Sequence, residues 1–207
     1  MKNNKLIFTL NEKIFIITLG DKIMILKAYQ SNRHVHLTKE DLYILFGDNY
    51  ELTVRNYLGQ PGQFAAEETV TLKTNKNMRE GVRIVGPVRA YTQVELLDID
   101  KEYFGINPPV RNSGDLDNSE TITIIGPKGE ITKKNSCIIA NRHIHINTRD
   151  NKNYYEDQIV SVKINNIILN NVHIKIADNF AYEMHINKDD AINNNINNED
   201  VVQILEE

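Results

Sequence analysis

The sequence predicts a mainly β protein: two related small β-barrels with a few short helices and an active site where the barrels meet. Three observations carry this. Short runs rich in β-branched residues fill most of the chain, turn signals separate them, and one strand motif occurs twice. The runs are Thr69-Val70-Thr71-Leu72, Val82-Arg83-Ile84-Val85, Thr121 to Ile125, Val160 to Ile164 and Val172 to Ile176. Their length and punctuation suit strands of small closed barrels or sandwiches. The turns are Gly59-Gln60-Pro61-Gly62, Gly86-Pro87, Pro108-Pro109, Asn112 to Asp115 and Gly126-Pro127, all built from residues that favour reversals.

The repeat is Asn32-Arg33-His34-Val35-His36-Leu37 and Asn141-Arg142-His143-Ile144-His145-Ile146. A polar cap follows each copy, Thr38 in the first and Thr148 in the second. Each strand is therefore expected to feed a short helix. In the first copy, Thr38 stands three residues before Asp41, and Leu42 to Phe46 run to a stop at Gly47. Duplication implies two halves that share a cleft.

Composition bounds the function. The chain has 207 residues, 41% hydrophobic and 25% charged, which suits one large globular domain or two small ones. Its formal net charge of −4 comes without long single-sign runs, which argues against a general nucleic-acid or membrane-surface role. Near the N-terminus, Ile14 to Gly20 is the longest uncharged stretch, far short of the roughly 20 residues that cross a bilayer. Residues 1–22 are expected to form an extension of strands without a signal peptide. Cys137 is the only cysteine and lies in an apolar run. No internal disulfide can form, so a reducing, cytoplasmic setting is expected, with Cys137 as a buried hydrophobe. The Asn-rich segment from Asn193 to Asn198 is expected to be a solvated loop.

Residues i and i+2 of a strand project from one face. His34 and His36 thus point together, as do His143 and His145, and each pair can clasp a metal ion, zinc by default. Each half needs a third ligand. The second half offers His185 in Tyr182-Glu183-Met184-His185-Ile186 as a candidate, and the first offers Glu95, similarly framed in Gln93-Val94-Glu95-Leu96, for which the pattern alone equally allows a surface glutamate. His173 has no partner at i±2 and is expected to face solvent. Arg83 and Arg89 flank Gly86-Pro87, and a guanidinium beside a metal is a seat for phosphate or carboxylate.

The ordered motifs resemble phosphate propanoyltransferase, the propanediol-utilisation type of phosphotransacylase. They are Ser31 to Leu37, Gln60 to Val70, Gly86-Pro87-Val88-Arg89, Thr92 to Glu95, Pro108 to Arg111, Ser113 to Leu116, Ile125 to Gly129, Asn141 to His145 and Glu183 to Ile186. The resemblance runs from about Ile25 to the C-terminus. It implies acyl transfer between coenzyme A and phosphate, with acetyl or propanoyl as the short acyl group, at a site of two zinc ions per chain. It gives His34, His36 and Glu95 to the first zinc and His143, His145 and His185 to the second. Arg89 becomes the catalytic, phosphate-binding arginine, and Ser31, Asn32, Lys76 and Arg83 become the coenzyme A contacts. It divides the chain into residues 23–32 plus 141–207 as one barrel and 33–140 as the other, and it implies a homodimer. The partners implied are coenzyme A, phosphate and a short-chain acyl phosphate, with no nucleic acid and no membrane.

Two departures qualify the likeness. Relatives packaged in microcompartments often carry an amphipathic N-terminal helix where this chain reads as strands, so packaging is not expected. The family's Asn near coenzyme A, seven positions past the last histidine ligand, is Ile192 here, with Asn193 beside it. Two other readings share the histidine strands: a two-metal hydrolase and a zinc-stabilised module without activity. The hydrolase pattern His-x-His-x-Asp-His is absent after His36. A structural zinc site ordinarily uses several cysteines.

Overall fold

The computed structural model describes residues 5–10, 13–18, 25–151 and 153–205. The expected start of a barrel at residue 23 lies outside the described residues. In chain order the elements are β1 (Lys5–Leu10), β2 (Lys13–Thr18), β3 (Lys27–Ser31), β4 (His34–His36), α1 (Lys39–Phe46), β5 (Val54–Tyr57), β6 (Phe64–Lys73), β7 (Met78–Gly86) and β8 (Gln93–Glu95). They continue with α2 (Asp100–Phe104), β9 (Val110–Arg111), β10 (Glu120–Ile125), β11 (Glu130–Ala140), β12 (His143–Asn147), β13 (Ile159–Ile164), β14 (Ile167–Ala177), β15 (Glu183–Asn187), α3 (Lys188–Asn193) and β16 (Val202–Leu205). The mainly β expectation holds, with 47% strand and 11% helix.

β1 and β2 form an antiparallel hairpin of their own. One larger sheet runs β10-β11-β8-β4-β7-β6-β5, and a β10–β6 pairing closes six of its strands into a ring. The other runs β16-β13-β14-β12-β15-β3 and curls until its ends meet at the Lys27–Val201 bridge. Each has its own core. The first buries Val35, Leu42, Leu45, Leu72, Ile84, Phe104, Ile122 and Ile124 among others. The second buries Ala28, Ile144, Val162, Ile164, Val172, Ile174 and Met184. Alternating β-branched residues explain both, because one face of each strand supplies the core.

Helix α1 follows its sequence signals. Thr38 Oγ1 accepts from the Asp41 amide at 3.1 Å, Leu42 and Leu45 go inside, and Gly47 ends the helix at φ 109°. The second copy departs from expectation. After β12 the chain makes a turn over 148–150, closed by Asp150 N to Asn147 O at 2.9 Å. Thr148 caps no helix because Arg149-Asp150-Asn151-Lys152-Asn153 offers no apolar residue for a helix to bury.

The repeat reaches into topology. β4 pairs antiparallel with β8, setting His34 opposite Glu95 and His36 opposite Gln93. β12 pairs antiparallel with β15, setting His143 opposite His185 and His145 opposite Glu183. On its other side each histidine strand has a parallel neighbour, β7 for β4 and β14 for β12. β3, which leads into β4, lies in the other sheet beside β15. β11, which leads into β12, lies beside β8. Each Asn-Arg dipeptide is thus a crossover where the chain leaves one sheet for the other.

The two arginines anchor the crossovers alike. Arg33 Nε meets Asp100 Oδ2 at 2.8 Å, and Arg142 Nε meets Asp190 Oδ2 at 2.6 Å with Nη2 to Oδ1 at 2.7 Å. Asp100 and Asp190 each stand five positions past Glu95 and His185, on the short helix after the strand. The duplication therefore includes this ion pair.

Candidate active site

β4 and β8 are three-residue strands, yet they carry three polar side chains to one point. The ligand-capable atoms of His34, His36 and Glu95 lie within 4.8 Å of one another. His34 Nδ1 donates to Asn32 O at 2.8 Å, and His36 Nδ1 donates to Val85 O at 3.0 Å. Each imidazole spends its proton on a carbonyl, which leaves both Nε2 atoms as bare lone pairs. Those two nitrogens are 3.1 Å apart, with Glu95 Oε2 3.5 Å from the first and Oε1 3.9 Å from the second. Facing lone pairs repel unless a cation sits between them, so the donor set fits a metal ion. Burial, then His34 and Arg89, pushes the His36 pKa well down and keeps the ring neutral.

Gln93 holds the acid in place. Its Nε2 donates to Glu95 Oε1 at 2.6 Å and to Ser113 Oγ at 2.8 Å, while its Oε1 accepts from the Gly114 amide at 2.8 Å. Arg89 reaches the same Ser113 Oγ through Nη1 at 3.3 Å, so the acid, Gln93, Ser113 and Arg89 form one chain of contacts.

The second trio is all imidazole. Ring centroids of His143 and His145 are 4.7 Å apart, those of His143 and His185 are 5.2 Å apart, and those of His145 and His185 are 4.9 Å apart. His143 Nδ1 donates to Asn141 O at 2.7 Å, matching His34 and Asn32. His145 Nδ1 and His185 Nε2 are buried without a hydrogen-bond partner among the described residues. Buried orphan nitrogens are costly, and a metal ion would satisfy them. Burial dominates in lowering the His145 pKa to about 3 and the His143 pKa well below its ordinary value, so both rings are neutral at neutral pH. Glu183 Oε2 lies 3.4 Å from His185 Nε2, out of line for a hydrogen bond. The adjacent His185, with help from Gln60, holds the Glu183 carboxyl below its usual range despite burial.

Both trios line a cleft of about 790 Å³ between the two sheets, together with Tyr29, Ser31, Asn32, Arg83, Arg89 and Lys175. A loop from the first half crosses to the second. Gln60 Nε2 donates to Ala181 O at 3.1 Å and to Glu183 Oε2 at 2.8 Å, and Gln60 Oε1 accepts from Ala181 N at 3.1 Å. Gly59 makes the approach possible, since a Cβ there would sit 2.1 Å from Glu183 Oε1.

The cleft gathers most of the residues singled out from sequence, with exceptions. Lys76 is not among its lining: its Nζ donates to Glu102 O at 2.7 Å. Arg83 lines the cleft while its Nη1 donates to Ala66 O and Glu67 O at 2.9 and 2.7 Å. Ile192 is 59% exposed on α3, and neither it nor Asn193 reaches the cleft; of the Asn-rich segment it is Asn198 that does, and its Oδ1 accepts from Gln30 N at 2.7 Å. His173 does not face solvent as expected. Its side chain is 19% exposed, with Nδ1 buried 4.0 Å from Asp157 Oδ1. Its register partners, His143 on β12 and Ile159 on β13, flank it on the same face of the sheet. Cys137 is fully buried, and burial pushes its thiol pKa up, so it is no nucleophile at neutral pH.

Sequence comparison supplies the class of protein and its family. The phosphate propanoyltransferase family model matches residues 27–197. The chain is similar to the phosphate propanoyltransferase of Thermotoga maritima, 46% identical over 85% of this chain and 87% of the relative. It resembles those of Rhodopseudomonas palustris, at 42% over 84% and 79%, and Priestia megaterium, at 45% over 78% and 76%. The chain belongs to the phosphate propanoyltransferase family and is a phosphate acyltransferase.

Proposed function

We propose that the protein interconverts a short-chain acyl-CoA plus phosphate and the acyl phosphate plus coenzyme A, at a site for two zinc ions. The observation that carries it is the pair of histidine Nε2 atoms 3.1 Å apart beside a carboxylate, in a cleft also lined by Arg83 and Arg89. His34, His36 and Glu95 would hold one ion, and His143, His145 and His185 the other. When bound, such ions favour the thiolate form of the coenzyme A sulfur and neutralise charge on phosphoryl oxygens.

The remaining chemistry belongs to the chain. Arg89 receives phosphate from the first-half side and orients an oxygen toward the acyl carbonyl. That oxygen attacks the carbonyl carbon, the C–S bond breaks, and the electron pair leaves with sulfur as the coenzyme A thiolate. The acyl group passes directly, so no residue is acylated, which agrees with the inert Cys137. Ser31, Asn32 and Arg83 line the path open to coenzyme A, and Lys76 would join only by leaving Glu102. Acetyl and propanoyl are the acyl groups proposed. A cytoplasmic location and a homodimer complete the reading; among the described residues no helix is long and apolar enough to cross a membrane.

The test measures thioester formation from coenzyme A with acetyl, propanoyl and butanoyl phosphates, alongside zinc per chain. Transfer that depends on coenzyme A and is lost on chelation supports the reading. Phosphate release without coenzyme A would replace it with a hydrolase, and chelation that unfolds an inactive chain would replace it with a structural module. Within this reading, Gln93→Leu removes the amide that fixes Glu95 and is expected to weaken zinc binding about 10- to 100-fold. Competition with a chromogenic chelator measures it, and unchanged affinity would show that Glu95 needs no such support.

A further inference from the structure

Lys175 is a cation that the zinc ligands and Arg89 leave unexplained. It stands on β14 directly across from His145 in parallel register, where paired side chains share a face, and it lines the cleft. It is half-buried, and among the described residues no hydrogen bond or ion pair involves its ammonium. The carboxylates near enough to act on its charge are Glu95, Asp157 and Glu156. Each is engaged elsewhere: Glu95 Oε1 with Gln93 at 2.6 Å, Asp157 Oδ1 with Asn112 Nδ2 at 2.5 Å, and Glu156 Oε2 with Ile176 N at 2.6 Å. Burial lowers its pKa, the carboxylates oppose that, and Arg89 adds to it. Arg89 and Lys175 line the same cleft as both trios, and the charge of Arg89 is felt at His36 and His145. The carboxylates temper the charge of the cleft without contacting the ammonium, so Lys175 keeps its donors open beside Arg89, an arrangement that suits an anionic oxygen.

We infer that Lys175 is a second phosphate-contacting residue, the counterpart from the second sheet to Arg89 from the first. This rests on the phosphate acyltransfer proposed above. A phosphoryl group between the two relieves their repulsion and is gripped from opposite walls. Arg89 gives it direction, and Lys175 gives it a compact point charge. The seat exists only where the sheets meet, since each contributes one cation.

The experiment uses the full, zinc-loaded chain and compares Lys175→Met and Lys175→Arg with wild type. Phosphate is varied against saturating propanoyl-CoA, and propanoyl-CoA against saturating phosphate. Lys175→Met is expected to raise the phosphate KM about tenfold and leave that of propanoyl-CoA within about twofold, with Lys175→Arg recovering most of the loss. An unchanged phosphate KM would overturn the assignment. So would a rise confined to propanoyl-CoA, which would give the cation to the phosphates of coenzyme A. Thermal denaturation with and without inorganic phosphate reads binding apart from turnover. Phosphate should raise the wild-type Tm more than that of Lys175→Met, and equal shifts would overturn the assignment. Absence of transfer in wild type beside a phosphate shift that depends on Lys175 would sink the reaction and keep the seat. Should Lys175→Met fail to fold, Lys175→Gln takes its place in both measurements.

Discussion

His36→Ala is expected to lower acyl transfer about 10³-fold and to remove about one zinc per chain. His36 is 2% exposed, its Nδ1 is fixed by Val85 O, and its Nε2 faces that of His34 at 3.1 Å. Gln93, its cross-strand neighbour, cannot replace it, because a carboxamide nitrogen has no free lone pair to offer and the side chain is held by Glu95, Ser113 and Gly114. His173→Ala is the control: an imidazole near the second trio but outside the cleft lining, whose loss should leave zinc content unchanged. Turnover and metal analysis on refolding-competent protein decide it. Full activity in His36→Ala would end the two-metal proposal.

Arg33→Leu is expected to destabilise the fold by about 3 kcal/mol, because it strands a buried charge. Asp100 is 0% exposed, and its Oδ2 takes Arg33 Nε at 2.8 Å and the Leu97 amide at 3.0 Å. The nearest other cation, Arg79 Nε, stays 3.8 Å from Oδ1 without a hydrogen bond. The equivalent change in the second half, Arg142→Leu, should cost less, about 1 kcal/mol, since the Asp190 side chain is 27% exposed and can be rehydrated. Urea unfolding of both variants measures the difference. Equal losses would show that the two anchors differ in surroundings but not in energetic weight.

Much of the architecture was legible because it is periodic. Val82 to Val85, Thr121 to Ile125 and Val160 to Ile164 announce strands through branched side chains and flanking turns. Thr38, Asp41 and Gly47 announce α1 through local capping chemistry. Pairing between distant elements left no such mark. Nothing near Asp100 or Asp190 in the sequence says that each will meet an arginine of the repeat. Gln93 reads as one more polar strand residue until Ser113 and Gly114 arrive beside it. Lys175 hides in the alternation Val172-His173-Ile174-Lys175-Ile176, which gives its face but not what that face looks into. The same alternation misplaced His173 in solvent, because the cover from β12 and β13 is tertiary.

The crossing at each Asn-Arg dipeptide has a further meaning. Each sheet is completed by a strand that belongs, by sequence, to the other half: β3 closes the sheet of β12, and β11 closes that of β4. A half-length chain of this pattern could finish its own sheet only by borrowing the leading strand of a second copy, as in a domain-swapped dimer with two identical sites. The present polypeptide makes that exchange within itself. Once both copies are tied in one chain they need not stay alike, which is how one site can keep a carboxylate at residue 95 while its twin holds an imidazole at residue 185.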